Sequence, residues 1–373
     1  MINGKKILIV TTVDSMIGCF LLGHIKQLQD AGNVVECACH ETGFWFKEMQ
    51  GNGIVVHEVP FARNPLHPRN LKAQKVLEKI VEEGKFDLIH CHTPVGGVMG
   101  RRVAKKFKIP CLYIAHGFHF FKGAPLVNQL IYKTIEKHYS KLTDALVTMN
   151  EEDYKAALKM KAKRVYKING IGYDESKFEL INESEKLALK NELGIQEGDV
   201  VIISVGELNA NKNHIAVIKS LARLNLKNVK YFICGRGERK EEYENLIAKL
   251  GLKDNVKLLG YRRDINNILQ ISDIFIMPSL REGLPMSMLE AMNVGLPILA
   301  FNIRGCNDLV KSNENGFLVN PKEKYPFDAE ILKLVKNAKL RDEFGKNGKK
   351  FAKTYNLSNV LSQMEQIYDQ ILN

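Results

Sequence analysis

Pro278-Ser279-Leu280-Arg281-Glu282-Gly283-Leu284-Pro285-Met286-Ser287-Met288-Leu289-Glu290-Ala291-Met292-Asn293-Val294-Gly295-Leu296-Pro297 is the stretch on which the reading of this chain turns. The run before it, Ser272 to Met277, is short and apolar, as a buried parallel strand is. A glycine turn follows, and Pro285 stands where a first helical residue would, its missing N–H costing nothing there. The stretch reads as strand, turn and helix, with Glu282 in the turn and Glu290 on the helix. The backbone from 283 to 287 then faces the carboxyl edge of a sheet with free N–H groups and makes an anion site of the stretch Gly283, Leu284, Pro285 and Met286. Glu290 lies about 7 to 8 Å further along the helix, given its rise per residue. That matches the span from a nucleotide's diphosphate to its ribose hydroxyls. One carboxylate can hold ribose while the helix start holds phosphate and Glu282 reaches a sugar beyond.

Spacing alone does not carry this reading. Glu175 and Glu183 also stand eight apart, and no strand, glycine turn or helix start is read around them. In its context, the quoted stretch resembles the Glu-seven-Glu signature of retaining family-4 glycosyltransferases, which build on the GT-B fold. The resemblance implies an α/β protein of two Rossmann-like domains facing across a cleft. It also implies that Glu290 binds the nucleotide ribose and Glu282 the transferred sugar. The likeness covers nearly the whole chain, strongest from Gly235 to Val319, good from His90 to Phe178 and weaker before residue 60.

At 373 residues the chain exceeds one comfortable core and fits two domains. With 45% hydrophobic and 26% charged residues it reads as globular and ordered. The apolar run Ile7 to Val10 is too short for a signal peptide, and no segment approaches the length of a membrane span. Seven cysteines, mostly in or beside apolar runs, read as reduced, buried thiols of a cytoplasmic protein. The net charge of +12 is uneven: residues 1 to 178 hold 26 basic and 17 acidic residues, the remainder 28 and 25. Between 101 and 141 there are nine basic residues and one acid, Glu136. Such a tract suits a nucleic acid, an anionic lipid surface or an acidic substrate.

Two series of strands alternating with helices predict parallel α/β architecture. The first opens with Lys6 to Thr11, a loop from Thr12 to Gly18 and a helix through Phe20 to Ala31. The second restarts after Glu179, with strands Val200 to Val205, Tyr231 to Cys234, Val256 to Leu259, Ile274 to Met277 and Ile298 to Phe301. The glycine-rich link Ile168 to Tyr173 places the boundary, giving domains 1–173 and 174–356. The last helix, within 357–373, is expected to pack back on the first domain.

Gly206 opens a βα loop that reaches Lys212, well placed to meet a leaving diphosphate at a sheet's carboxyl edge. The resemblance expects an arginine just after that glycine, where this chain has Glu207; Arg236 or Arg281 could supply the missing charge. His116 matches the first histidine of a His-Gly loop that touches the transferred sugar in polysaccharide-assembly members. A metal cluster of His90, His92, His116 and His119 is the alternative there. Gly18 would mark a reduced donor-binding glycine loop in the first domain. No Asp-x-Asp pair occurs, and Gly235-Arg236-Gly237 lacks the third glycine of a dinucleotide fingerprint.

The resemblance implies metal-independent, retaining transfer from a nucleotide sugar, expected to be a UDP-sugar, with no cofactor. The acceptor would be a saccharide on a polyprenyl diphosphate, met at the inner membrane surface during surface-polysaccharide synthesis. The rivals are a UDP-sugar epimerase on the same fold and a nucleic-acid-binding protein using the basic tract with Phe118, Phe120 and Phe121. For Leu126 to Ile135 two readings stand: an interfacial helix, or a core-facing helix with a solvated basic side.

Overall fold

The computed structural model describes residues 2–372. The chain divides into two compact units. The first holds the residues up to Gly172 together with the helix Leu357–Leu372, and the second runs from Tyr173 to Asn356.

In the first unit the strands are β1 (Lys6–Val13), β2 (Val34–His40), β3 (Val55–Glu58), β4 (Leu88–His92), β5 (Cys111–Ala115), β6 (Ala145–Thr148) and β7 (Arg164–Lys167). They form one parallel sheet in the order β3-β2-β1-β4-β5-β6-β7. In the second, β8 (Val200–Val205), β9 (Val229–Cys234), β10 (Val256–Gly260), β11 (Ile274–Met277), β12 (Ile298–Phe301) and β13 (Gly316–Val319) pair in parallel as β10-β9-β8-β11-β12-β13. The alternating helices impose this arrangement, since a parallel pair needs a long crossover and the crossover covers a sheet face. Both faces are therefore apolar. Ile202, Ile276 and Leu299 pack into one layer of the second unit, while Ile203, Phe275, Met277 and Ile298 pack into the other.

Three expectations need correction. The segment Thr12 to Gly18 is not a loop: β1 continues to Val13 and a helix spans Asp14–Phe20. The buried Asp14 carboxylate accepts N–H bonds from Ser15 at 2.7 Å, Thr42 at 3.1 Å and Phe46 at 3.2 Å, tying the helix start to a distant loop. Gly18 lies inside that helix, and a Cβ there would sit 2.3 Å from the Trp45 ring. Close packing accounts for this glycine. Pro285 is the extended residue before the helix Met286–Asn293, one position earlier than read. Glu183 does open a helix, Glu183–Leu193, with a capping box between Asn182 and Glu185, so the spacing control was not free of a helix start.

The link read at Ile168 to Tyr173 contains the division after Gly172. The C-terminal helix adds to the first unit through specific bonds. Asn169 N–H donates to Gln363 Oε1 at 2.9 Å, and the Tyr368 hydroxyl lies 3.0 Å from His90 Nδ1.

Candidate functional site

In the second unit the chain builds outward from β8 through β9 to β10, then returns to place β11 on the other side of β8. Strand order reverses between β8 and β11, and the loops beyond their carboxyl ends diverge into a crevice. The β8 loop carries Gly206 to Lys212, and the β11 loop carries Leu280 to Pro285. The two are stitched together. Leu280 N–H donates to the Asn211 carbonyl at 2.8 Å, and Asn211 Nδ2 donates to the Arg281 carbonyl at 3.0 Å. Lys212 Nζ then donates to Glu282 Oε1 at 2.7 Å. The lysine and the glutamate singled out by sequence, 70 residues apart, thus form one ion pair, with side chains 21% and 12% exposed.

Glycines permit this closeness. The Lys212 stem crosses Gly206, with its Cδ and Cε 3.1 Å from where a Cβ would stand. A Cβ on Gly235 would lie 1.9 Å from the Gly206 carbonyl oxygen, so the β9 turn sits directly on the β8 loop. The Leu208 N–H donates to the Arg236 carbonyl at 3.0 Å, which fixes the base of Arg236 beside the lysine loop. The exposed Arg236 guanidinium lies 5.6 Å from the Tyr261 ring centroid. Glu207 points to solvent and accepts from Asn209 Nδ2 at 2.8 Å. The β12 loop closes the other side: Arg304 Nε donates to the Glu282 carbonyl at 3.1 Å, and Gly305, at φ +79°, packs on the Gly283 carbonyl.

Leu284 and Met286 turn their side chains into the core, so their contribution at the helix start is a backbone one. Glu290 lies on the second turn of the helix Met286–Asn293. It is half-buried and has no side-chain hydrogen bond or ion pair within the described residues. Burial pushes its carboxyl up to about 7, against a smaller opposing pull from Lys177. An acceptor that is desolvated and unpartnered suits a ligand bringing hydroxyl donors.

The first unit repeats the logic. Its strand order reverses between β1 and β4, where the Thr12 and Thr93 hydroxyls meet at 2.6 Å. A cavity of about 390 Å³ lies there, lined by Met16, Phe20, Arg63, Pro94, Val95 and His119 among others. It joins apolar walls to the Arg63 guanidinium. His116 follows β5, and its loop is held where the Asp153 carboxylate accepts the Phe118 N–H at 3.1 Å. His92 Nδ1 and His116 Nε2 lie 2.9 Å apart. Burial drives His116 down to about 4, His90 to about 3 and His92 well below its ordinary value, so these rings are neutral at pH 7. His119 stacks on Tyr132 instead of joining them. Among the described residues no three His, Cys, Asp or Glu side chains are arranged to hold a metal ion. The sequence groups His92 with His116 only as candidate metal ligands, and the structure joins them instead through a direct contact of ring nitrogens.

The basic tract has an unexpected surface. Its one acid, Glu136, is buried and accepts from Arg101 Nη1 at 2.9 Å, so it adds nothing to the exterior. Leu126, Val127, Leu130 and Ile131 of the helix Leu126–Tyr139 are exposed, Leu126 at 80% and Leu130 at 71%. The apolar residues at the start of that helix therefore face solvent, while Tyr132 further along packs against the core. Phe118 and Phe120 stack on each other in the core, which removes them as a platform for nucleic-acid bases. No helix of the described residues is long and apolar enough to cross a membrane.

Comparison with known proteins agrees with this architecture. Residues 154–351 match the family model for glycosyl transferases group 1, and residues 6–150 match a glycosyl transferase 4-like model. EpsD of Bacillus subtilis (strain 168), named as a glycosyltransferase, is 34% identical, with 99% of this chain and 97% of EpsD aligned. An Escherichia coli UDP-Gal:alpha-D-GlcNAc-diphosphoundecaprenol alpha-1,3-galactosyltransferase is 32% identical over 82% of this chain and 81% of its own. The crystal structure of Anabaena HepE with UDP and glucose superposes with a TM-score of 0.83 at 20% identity, covering 98% of this chain and 100% of HepE. With parallel-sheet units that match GT-B enzymes and relatives aligned along nearly its whole length, the chain belongs to the group 1 glycosyltransferases.

Proposed function

We propose that this glycosyltransferase moves a hexosyl or N-acetylhexosaminyl group from a UDP-sugar to a polyprenyl-diphosphate-linked saccharide. Transfer retains the anomeric configuration, needs no divalent metal and serves surface-polysaccharide synthesis. The observation that carries this reading is the Lys212–Glu282 pair at the switch point, with Glu290 unpartnered on the helix beyond it. The named activity of the Escherichia coli relative supports the donor and acceptor classes.

In this reading the ribose hydroxyls donate to Glu290, and the diphosphate lies at the N–H groups starting the helix Met286–Asn293. Lys212 exchanges Glu282 for the diphosphate, freeing that carboxylate to accept from the donor sugar. The bond between the anomeric carbon and the diphosphate oxygen breaks with its electron pair leaving on UDP. The acceptor hydroxyl oxygen bonds to the same face of that carbon, and its proton passes to the departing phosphate. Preorganised positive charge on the leaving group is the main source of rate. His116 meets the sugar, and the cavity beside Thr12 and Thr93 takes the acceptor.

A panel of UDP-sugars with a synthetic polyprenyl-diphosphate saccharide tests the reading, with the product anomer read by NMR. Turnover is expected to survive excess EDTA, because lysine and helix dipole do the metal's work. Loss on chelation with rescue by Mg²⁺ or Mn²⁺ would refute metal independence. An epimer formed without acceptor would favour an epimerase.

The same proposal places the protein at the inner face of the membrane. Exposed Leu126, Val127, Leu130 and Ile131 lie beside exposed Lys122, Lys133 and Lys137, the mixture that enters an anionic interface. Cosedimentation should rise with anionic lipid and fall with salt. Charge reversal of Lys122, Lys133 and Lys137 to glutamate should weaken it by about 10²-fold or more, at roughly 1 kcal/mol per basic residue. Equal partitioning onto neutral and anionic vesicles would count against it.

A further inference from the structure

His92 ends β4 fully buried, and His116 follows β5, the neighbouring strand. Their rings lie 5.1 Å apart between centroids, with His92 Nδ1 facing His116 Nε2 at 2.9 Å. Two neutral imidazoles in contact share one proton at that point, so one nitrogen donates and the other accepts. The far side of His92 decides which. Its Nε2 is sealed from solvent and has no hydrogen-bond partner among the described residues. On its other side His92 stacks against His90, whose ring centroid is 4.4 Å away. A buried N–H left without an acceptor is costlier and rarer than an unused lone pair. The His92 proton therefore sits on Nδ1 and is donated to His116 Nε2. His116, neutral, must then carry its own proton on Nδ1.

We infer that His92 is a positioning residue that locks His116 in the Nδ1–H form, turning it into a fixed hydrogen-bond donor toward the transferred sugar. The inference rests on the reading that His116 meets that sugar. A histidine's hydrogen-bonded nitrogen sets the state of its other nitrogen, and here that control comes from a second histidine. The wall behind this pair is neutral. His90 stacks on His92 and meets the Tyr368 hydroxyl, and His24 Nε2 lies 2.8 Å from the Ile171 carbonyl oxygen. The locked form lets His116 donate to a sugar oxygen without becoming charged.

The test begins with the full chain labelled with ¹⁵N-histidine and a long-range ¹H–¹⁵N spectrum, His116 being assigned by its loss in His116→Ala. The expected pattern is a bare Nε2 and a protonated Nδ1 at His116. The reverse pattern would overturn the inference, with no variant of His92 required. Kinetics supplies the second arm. Asparagine places an amide N–H near the position of imidazole Nδ1, and glutamine places it nearer Nε2. His92→Gln should lower kcat by on the order of 10²-fold, as misplacement of a contacting group does. His92→Asn should recover most of that loss, with KM for the UDP-sugar unchanged in both. Equal losses in the two variants would reduce His92 to packing. Normal turnover in His116→Ala would overturn the role of His116 itself. An inactive His116→Ala together with the Nε2–H pattern would overturn His92 alone.

Discussion

Glu290→Gln is expected to stabilise the ligand-free protein above neutral pH while removing most of its affinity for UDP and UDP-sugars. The wild-type carboxyl is pushed up to about 7 by burial. A carboxyl whose folded pKa lies above its unfolded value favours the fold while protonated. That contribution is complete below about pH 4.5 and is lost as the pH rises through about 7. At pH 8 the loss is roughly 3 kcal/mol, at about 1.4 kcal/mol per unit. Glutamine does not titrate, so the variant's advantage should grow across that window and then level off. In a melt of a domain this size it amounts to roughly 6 to 12 °C.

Ligand binding should move the opposite way. Losing a hydrogen bond to a charged group costs about 1.5 to 3 kcal/mol, or roughly tenfold or more in affinity. Wild-type affinity for a UDP-sugar, whose diphosphate has no proton titrating near neutrality, should strengthen from pH 6 to pH 8. Glu290→Gln should bind weakly and independently of pH. Glu282→Ala should impair transfer while sparing UDP. If calorimetry gave UDP the same affinity in wild type, Glu290→Gln and Glu290→Ala, the ribose assignment would be wrong.

Lys212→Ala should reduce kcat by about 10² to 10³, the usual cost of removing one donor from a developing anion. The ion pair makes the result readable. Removing Lys212 leaves Glu282 partly buried without its partner, so sugar binding can fall along with turnover. Glu282→Gln in the Lys212→Ala background separates the effects, since it removes the unpaired charge and leaves the leaving group unsupported. Turnover in that double variant should stay well below that of Glu282→Gln alone, and equality of the two would show that lysine serves only to neutralise Glu282. Glu207→Arg is the complementary change. The Glu207 side chain is exposed and accepts from Asn209, and an arginine there should raise turnover if the site lacks a second cation.

Much of the second sheet was legible because its signals are local. Ile274 to Met277 and Ile298 to Phe301 are apolar runs bounded by turns, and they are strands with those limits. β7 and β13 escaped notice because each is only four residues long: Arg164 and Lys167 flank just Val165 and Tyr166, and β13 opens on Gly316. The helix Asp14–Phe20 was read as a loop because the groups fixing its start, Thr42 and Phe46, lie some thirty residues away. The helix Leu126–Tyr139 shows the limit in another form. An amphipathic period reveals that a helix has an apolar side, but not whether that side meets a core or solvent.

The sequence by itself determined the parallel α/β architecture, the strand-turn-helix around Glu282 and Glu290, and the family resemblance those residues carry. Each depends on neighbours within a few turns of the chain, where propensity and periodicity act. Only the tertiary structure decided that Lys212 pairs with Glu282, that Glu290 stands desolvated, that His92 bonds to His116 and that Glu136 is drawn inward onto Arg101. These contacts join residues up to 70 positions apart. They arise because sheet order brings separate loops to one edge and burial removes the water that would otherwise satisfy each group alone.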